Sequence, residues 1–275
     1  MTALATGVVA FLGPEGTFTH AAARTWFGER RVLSPVATID AVVGAVREGI
    51  AEFGVVPIEN STEGSVNHTL DALIEGGALI VGERVLPIRH ALASFAPEPP
   101  RIYSHPQAFA QCRRWLSVHC PGAILIASES TVAAVRAALA DVDGAAIASR
   151  WAAEKHGLPV RFDGIQDRAD NRTRFVLLSR HDAPSTGDDK TTLAFALHDA
   201  KGALRRALGI FERHELNLCR IESRPSPHRA FEYIFVVDVE GHRDDANLAA
   251  GLTELRAHCD ALHVLGSYPV CREAG

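Results

Sequence analysis

The sharpest constraint on this chain is a change of hydrophobic rhythm near residue 180. Before it, short apolar runs alternate with segments whose apolar residues recur every three or four positions. The runs are Val8–Leu12, Phe53–Val56, Ala78–Val85, Arg101–Ser104, Ala123–Ile126 and Gly144–Ala148. The spacing predicts helices over Thr17–Phe27, Val66–Glu75, Pro106–Ser117, Ser130–Ala140 and Arg150–His156. A further helix carries Ile39, Val42, Val43, Val46 and Ile50 on one face, with Thr38 a candidate N-cap, and Val132, Val135 and Leu139 share another face. Strands alternating with helices imply an α/β sheet of mainly parallel strands. The stretch Pro97-Glu98-Pro99-Pro100 suggests a division into two lobes.

Beyond the polar stretch Ser179–Asp189, which reads as a linker, the order changes. Leu193, Phe195 and Leu197 alternate as a strand, and Leu204, Leu208 and Phe211 make a helix face. A strand over Leu218–Arg224 follows, then alternation at Phe231, Tyr233, Phe235, Val237 and Val239. Leu248, Leu252 and Leu255 give a second helix, and Ala261–Gly266 a last strand. The order β-α-β-β-α-β is the ferredoxin-like unit.

Composition excludes several classes of partner. A formal net charge of -5 offers nothing to nucleic acid or an anionic membrane. No apolar run is long enough to span a bilayer. Met1–Leu12 lacks a basic region and runs into Gly13-Pro14-Glu15-Gly16, a strand and turn rather than a signal peptide. Cys112, Cys120, Cys219, Cys259 and Cys271 are odd in number, widely spaced and without Cys-x-x-Cys, which fits free thiols in the reducing cytoplasm.

Three segments can carry chemistry. In Val56–Val66 a strand ends, the polar run Glu59-Asn60-Ser61-Thr62-Glu63-Gly64-Ser65 follows, and a helix begins. This is either a well-capped helix or a ligand loop whose backbone N–H groups favour an anion. Asn171-Arg172-Thr173-Arg174-Phe175 precedes the apolar strand Phe175–Leu178. It is either a solvated turn or a site in which a Thr hydroxyl bonds a departing oxygen and an Arg holds a carboxylate. In Ser104-His105-Pro106-Gln107, His105 is either a general base or a neighbour of an N-cap at Ser104. The chain has no phosphate loop, dinucleotide fingerprint, nucleophile elbow or zinc-ligand spacing, so no metal or cofactor is expected.

Taken together, these segments resemble the prephenate dehydratase family. The matching residues are Ala10–Phe18, Glu59-Asn60-Ser61, Ser104–Ala108, Ala145–Ser149 and Asn171-x-Thr173-Arg174-Phe175, in order along the chain. The C-terminal part resembles a phenylalanine-binding ACT domain through Gly202-Ala203-Leu204, Asn217-Leu218, Arg220–Pro225 and Asp238-x-Glu240-Gly241-His242. Cys219, where a hydroxyl residue is common, and Ser226–Phe231, without the usual glycine, depart from that pattern.

The resemblance implies a two-lobed catalytic part like a type 2 periplasmic-binding-protein fold over residues 6–182. A linker over 183–189 and a βαββαβ ACT domain over 190–269 would follow. No chorismate mutase segment precedes the catalytic part, which points to the monofunctional form. The implied activity is a carbon–oxygen lyase step without a cofactor. Prephenate loses its ring carboxylate as CO2 and its hydroxyl as water, and aromatisation drives the formation of phenylpyruvate.

By the same resemblance Thr173 is catalytic. Asn60, Ser61, Gly64, Ser104, Gln107, Asn171, Arg174 and Phe175 would bind substrate. Gly202, Ala203, Leu204, Asn217, Leu218, Glu222, Ser223 and Arg224 would bind phenylalanine, the allosteric effector, between the subunits of a homodimer or homotetramer. Arogenate dehydratase and a non-catalytic amino-acid sensor are the alternatives.

Overall fold

The structure is a computed structural model and describes residues 7–198, 200–225 and 233–272. Along the chain run β1 Val8–Leu12, α1 Phe18–Phe27, β2 Val32–Val36, α2 Ile39–Arg47, β3 Phe53–Asn60, β4 Gly64–Ser65, α3 Asn67–Ile74 and β5 Leu79–Pro87. Then come β6 Ala91–Ser94, β7 Arg101–Ser104, α4 Pro106–Gln111, α5 Arg113–His119, β8 Ile124–Ala127, α6 Thr131–Ala140, β9 Gly144–Ala148, α7 Arg150–Lys155, β10 Val160–Asp163 and β11 Arg172–Ser179. The last elements are β12 Asp189–Leu197, α8 Ala203–Arg213, β13 Leu218–Pro225, β14 Tyr233–Glu240, α9 Ala246–Arg256 and β15 Cys259–Pro269. Among the described residues no helix is long and apolar enough to cross a membrane.

These elements gather into two compact units. One comprises the described residues up to Thr38, Glu59–Ser65 and Val85–Phe175. The other comprises Ile39–Ile58, Val66–Arg84 and the described residues from Val176 onward.

In the first unit β1 pairs parallel to β2. A five-stranded sheet has the order β10-β6-β9-β7-β8. It is mixed rather than mainly parallel: β7 lies parallel to β8 and β9, while β6 runs antiparallel to both β9 and β10. β6 has the sequence Ala-Leu-Ala-Ser with all four residues buried, so it shows neither the alternation nor the β-branched side chains that mark a strand. Val132, Val135 and Ala138 of α6 are fully buried in the core, whereas Leu139 is 39% exposed. Thr17, Ser130 and Ser149 cap α1, α6 and α7 by accepting from His20 N, Ala133 N and Ala152 N.

The helix expected over Pro106–Ser117 is broken in two at Cys112 (φ -116°, ψ 14°). The Asp167 carboxylate accepts from Arg114 N at 2.9 Å and Trp115 N at 3.1 Å, supplying partners for the new helix start.

In the second unit, Val42, Val43 and Val46 of α2 are buried. Ile50 is off that face and 68% exposed, because the helix stops at Arg47 and Gly49 turns the chain with φ +75°. Gly54 lets α2 approach β3: a Cβ there would lie 2.8 Å from Val42 Cγ1 and 2.9 Å from Val46 Cγ2. The C-terminal sheet is antiparallel in the order β13-β14-β12-β15, with α8 and α9 completing the βαββαβ unit. Phe195 faces Phe235 across β12 and β14, with ring centroids 5.6 Å apart. The buried face of α8 is Ala207, Ile210 and Phe211, not Leu204 and Leu208; Leu204 is 37% exposed. Phe231, expected in β14, lies outside the described residues, as do residue 6 and the Ser226–Phe231 segment.

Within this unit β5 and the C-terminal sheet share a buried ion pair. Lys190 Nζ lies 3.0 Å from Glu83 Oε1, which also accepts from Cys271 N at 3.0 Å.

Candidate active site

β3 ends at Asn60, and the chain turns through Ser61–Glu63 before β4 folds back, pairing Glu59 with Ser65 and Asn60 with Gly64. Asn60 makes this turn possible. Its Oδ1 accepts from Thr62 N at 2.9 Å and Glu63 N at 3.2 Å, an Asx-type turn that also fixes which way the amide faces. Gly64 has φ +83°, a conformation that disfavours a side chain. The Asn60 Nδ2 group then reaches the neighbouring strand β11. It donates to Asn171 Oδ1 at 3.0 Å, Arg172 O at 3.1 Å and Thr173 Oγ1 at 2.9 Å.

One backbone bond and one backbone-to-side-chain bond hold the two segments in that register. Ser61 N donates to Arg172 O at 2.9 Å, and Arg172 N donates back to Ser61 Oγ at 2.9 Å. Asn171 is 2% exposed and Thr173 and Asn60 are each 8% exposed, so this polar cluster is shielded from water and its bonds are correspondingly firm. Because Thr173 Oγ1 accepts from Asn60 and no described residue accepts its hydrogen, the hydroxyl keeps one proton to donate.

Two residues belong to this cluster that sequence reasoning missed. Gln111, one helical turn after Gln107, accepts at Oε1 from Asn171 Nδ2 at 3.0 Å and bonds His90 Nε2 at 2.8 Å. Its Nε2 donates to Glu63 Oε1 at 3.1 Å. The i,i+4 spacing from Gln107 is the one sequence signal that could have found Gln111; His90 lies in no motif. Burial pushes the His90 imidazole pKa down, opposed by its bond to Gln111, so the ring is neutral at pH 7.

The other expected site residues fall in different places. Arg174 lies against Glu59, Nη1 to Oε2 3.4 Å, with its side chain 10% exposed. Ser104 is fully buried and is not the cap of α4: its hydroxyl donates to Ile147 O at 2.7 Å, supporting the His105 turn from beneath. The cap is His105, whose Nδ1 accepts from Gln107 N at 3.3 Å. Gln107 is exposed, and Phe175 is a core residue at 2% exposure. Beside Gln111 and Asn171 opens a cavity of about 350 Å3, lined also by Arg113, Arg114 and Arg168.

In the C-terminal sheet, Gly202 takes φ +76° just before α8, followed by Ala203 and Leu204. Asn217 and Leu218 lead into edge strand β13, on which Cys219, Ile221 and Ser223 are exposed. Glu222 pairs with Arg220 at 2.5 Å. Arg224 turns away from that face: it is paired with Asp71 of α3 and donates to Asn67 O at 3.2 Å.

The family model for prephenate dehydratase matches residues 9–183, more than half of the chain, and that for the ACT domain matches residues 191–256. This chain belongs to the prephenate dehydratase family. It is 44% identical over 264 residues to a bifunctional chorismate mutase/prephenate dehydratase of Aquifex aeolicus, covering 95% of this chain and 73% of that protein. It is 38% identical to a prephenate dehydratase of Amycolatopsis methanolica, covering 94% and 88%. Among solved structures, prephenate dehydratase of Arthrobacter aurescens in complex with L-Phe superimposes with a TM-score of 0.86 at 37% identity, covering 96% and 90%. A protein described as a quorum-quenching acylase gives 0.84 at 31% identity, covering 96% and 98%. The fold is therefore that of prephenate dehydratases: mixed α/β sheets followed by an ACT domain.

Proposed function

We propose that this protein converts prephenate to phenylpyruvate, water and CO2, with Thr173 donating a hydrogen bond to the departing hydroxyl. The observation that carries this reading is the Asn60 Nδ2–Thr173 Oγ1 bond of 2.9 Å. It occupies the oxygen as an acceptor and leaves the hydroxyl hydrogen to stabilise charge that develops as the C–O bond breaks. Asn171 orients Asn60, while Ser61 and Gly64 shape the loop. Ser104 and Phe175 support the site from within the core, and Gln107 stands at its exposed rim. Arg174, balanced by Glu59, and the arginines of the adjoining cavity suit a substrate with two carboxylates. Loss of CO2 and aromatisation need no electron sink, so no cofactor enters the scheme.

A hydrolytic acylase needs a nucleophile with a base beside it. Thr173 is instead bonded to an amide N–H, which cannot take its proton. The arrangement therefore favours dehydration.

We assign catalysis to residues 6–182 and regulation to residues 190–269, joined by a linker over 183–189. Phenylalanine is the inhibiting effector, bound near Gly202, Ala203, Leu204, Asn217, Leu218, Glu222 and Ser223. The open edge strand β13 suits completion of that site by a second copy, giving a homodimer or homotetramer. Five free thiols fit a cytoplasmic enzyme. The deciding experiment measures phenylpyruvate formation from prephenate with and without phenylalanine, and compares kcat/KM on prephenate and arogenate. The expected result is turnover of prephenate, preferred over arogenate and inhibited by phenylalanine. No phenylpyruvate from folded protein would overturn the reading.

A further inference from the structure

The polar cluster around Thr173 has a fixed direction from end to end. Backbone N–H groups pin Asn60 Oδ1, so its Nδ2 must face Asn171 and Thr173. Asn171 Oδ1 is then an acceptor and its Nδ2 a donor, pointing at Gln111 Oε1. The Glu63 carboxylate can only accept, which sets Gln111 Nε2 toward it and Oε1 toward Asn171 and His90. An amide oxygen offers no hydrogen, so His90 carries its hydrogen on Nε2 and leaves Nδ1 bare.

That Nδ1 is buried and without a hydrogen-bond partner among the described residues. His90 is 3% exposed, packed edge-on against Phe18 with ring centroids 5.8 Å apart. An apolar residue would fill the same space without an orphaned nitrogen, so the imidazole is explained by what Nε2 does. The backbone fixes the ring's position. His90 N donates to Gln166 Oε1 at 3.0 Å, Ile165 N donates to His90 O at 2.9 Å, and Ile88 N donates to Asn171 O at 2.8 Å.

We propose that His90 is a positioning residue for Thr173, acting through Gln111, Asn171 and Asn60. The proposal rests on the reading of Thr173 as the donor to the leaving oxygen. Gln111 has two anchors for its amide. Glu63 is exposed, and water competes for it, whereas His90 is shielded and gives the firmer bond. Without the Nε2 hydrogen the Gln111 amide loses its shielded anchor and is held against Asn171 only from the exposed Glu63 side. Asn171 then loses a fixed acceptor, and its Oδ1, which shares the Asn60 Nδ2 group with Thr173, is held less firmly, so the Asn60–Thr173 geometry is less sharply defined.

The test compares three variants and one double variant in phenylpyruvate formation. His90→Phe keeps the ring volume but removes the donor. It is expected to lower kcat about tenfold with KM little changed, less than the roughly 10²–10³ for removing a transition-state donor itself. His90→Gln places an amide hydrogen near Nε2 and restores much of kcat; His90→Asn reaches only the Nδ1 position and does not. In a Thr173→Ala background, His90→Phe has no further effect on kcat.

Unchanged kcat in folded His90→Phe overturns the proposal, as does equal kcat in the Gln and Asn variants. Should His90→Phe fail to fold, the Gln and Asn pair decides alone. If Thr173→Ala turns over normally, the functional reading itself falls. If Thr173→Ala is impaired and His90→Phe is not, only the role of His90 falls.

Discussion

Asn60 and Thr173 lie 113 positions apart in the sequence, and the amide of the first donates to the hydroxyl of the second at 2.9 Å. This bond uses Thr173 Oγ1 as an acceptor, so the hydroxyl hydrogen points elsewhere. Asn60→Ala is expected to lower kcat by about 10², because it removes both the donor to Thr173 and the acceptor that shapes the Ser61–Glu63 turn. Steady-state kinetics on prephenate check this; unchanged kcat would separate the bond from catalysis.

Thr173→Ala removes the donating hydroxyl without disturbing a β-strand position. It is expected to reduce kcat by roughly 10²–10³ and leave the circular dichroism spectrum as in the wild type. Thr173→Ser keeps the hydroxyl and retains most of the activity.

The bond from Arg224 to Asp71 joins the segment expected to bind effector to α3, which follows the Ser61–Ser65 loop along the chain. Asp71→Asn keeps the shape of the side chain and weakens the pair. Basal turnover should remain near wild type, while the phenylalanine concentration for half-inhibition rises about fivefold or more. Inhibition curves measure this, and an unchanged curve would deny the pair a part in coupling.

Glu83 is 3% exposed and neutralises Lys190, whose side chain is 15% exposed. Glu83→Ala leaves that ammonium buried without this partner, which typically lowers stability by about 3–5 kcal/mol. Urea or thermal unfolding reads the loss directly.

Burial lowers the pKa of His90 and also that of His20, each from an ordinary 6.5. The unfolded chain therefore binds protons at a higher pH than the folded one. Stability contributed by these neutral rings is present above pH 6.5 and is lost as the pH falls below 6.5 toward their folded pKa values. Unfolding free energy measured across this range should decline on acidification, and less steeply in His90→Gln.

The sequence by itself determined most elements, because periods of 3.6 and 2 record which side of a segment meets a core. It also identified Asn60, Asn171 and Thr173, but left them as either turns or a site. Only the tertiary structure brings β3 beside β11, so that three side chains from distant segments share hydrogen bonds. Other outcomes were set by neighbours that a local pattern does not contain. Asp167 splits the helix at Cys112, Leu204 yields its core position to Ala207, and Ser104 turns inward to Ile147. His90 was invisible for the same reason, and Gln111 was marked only by its i,i+4 spacing from Gln107. A side chain's hydrogen-bond partner is fixed by the folded chain, and nothing in the local sequence around His90 records that its hydrogen points at Gln111.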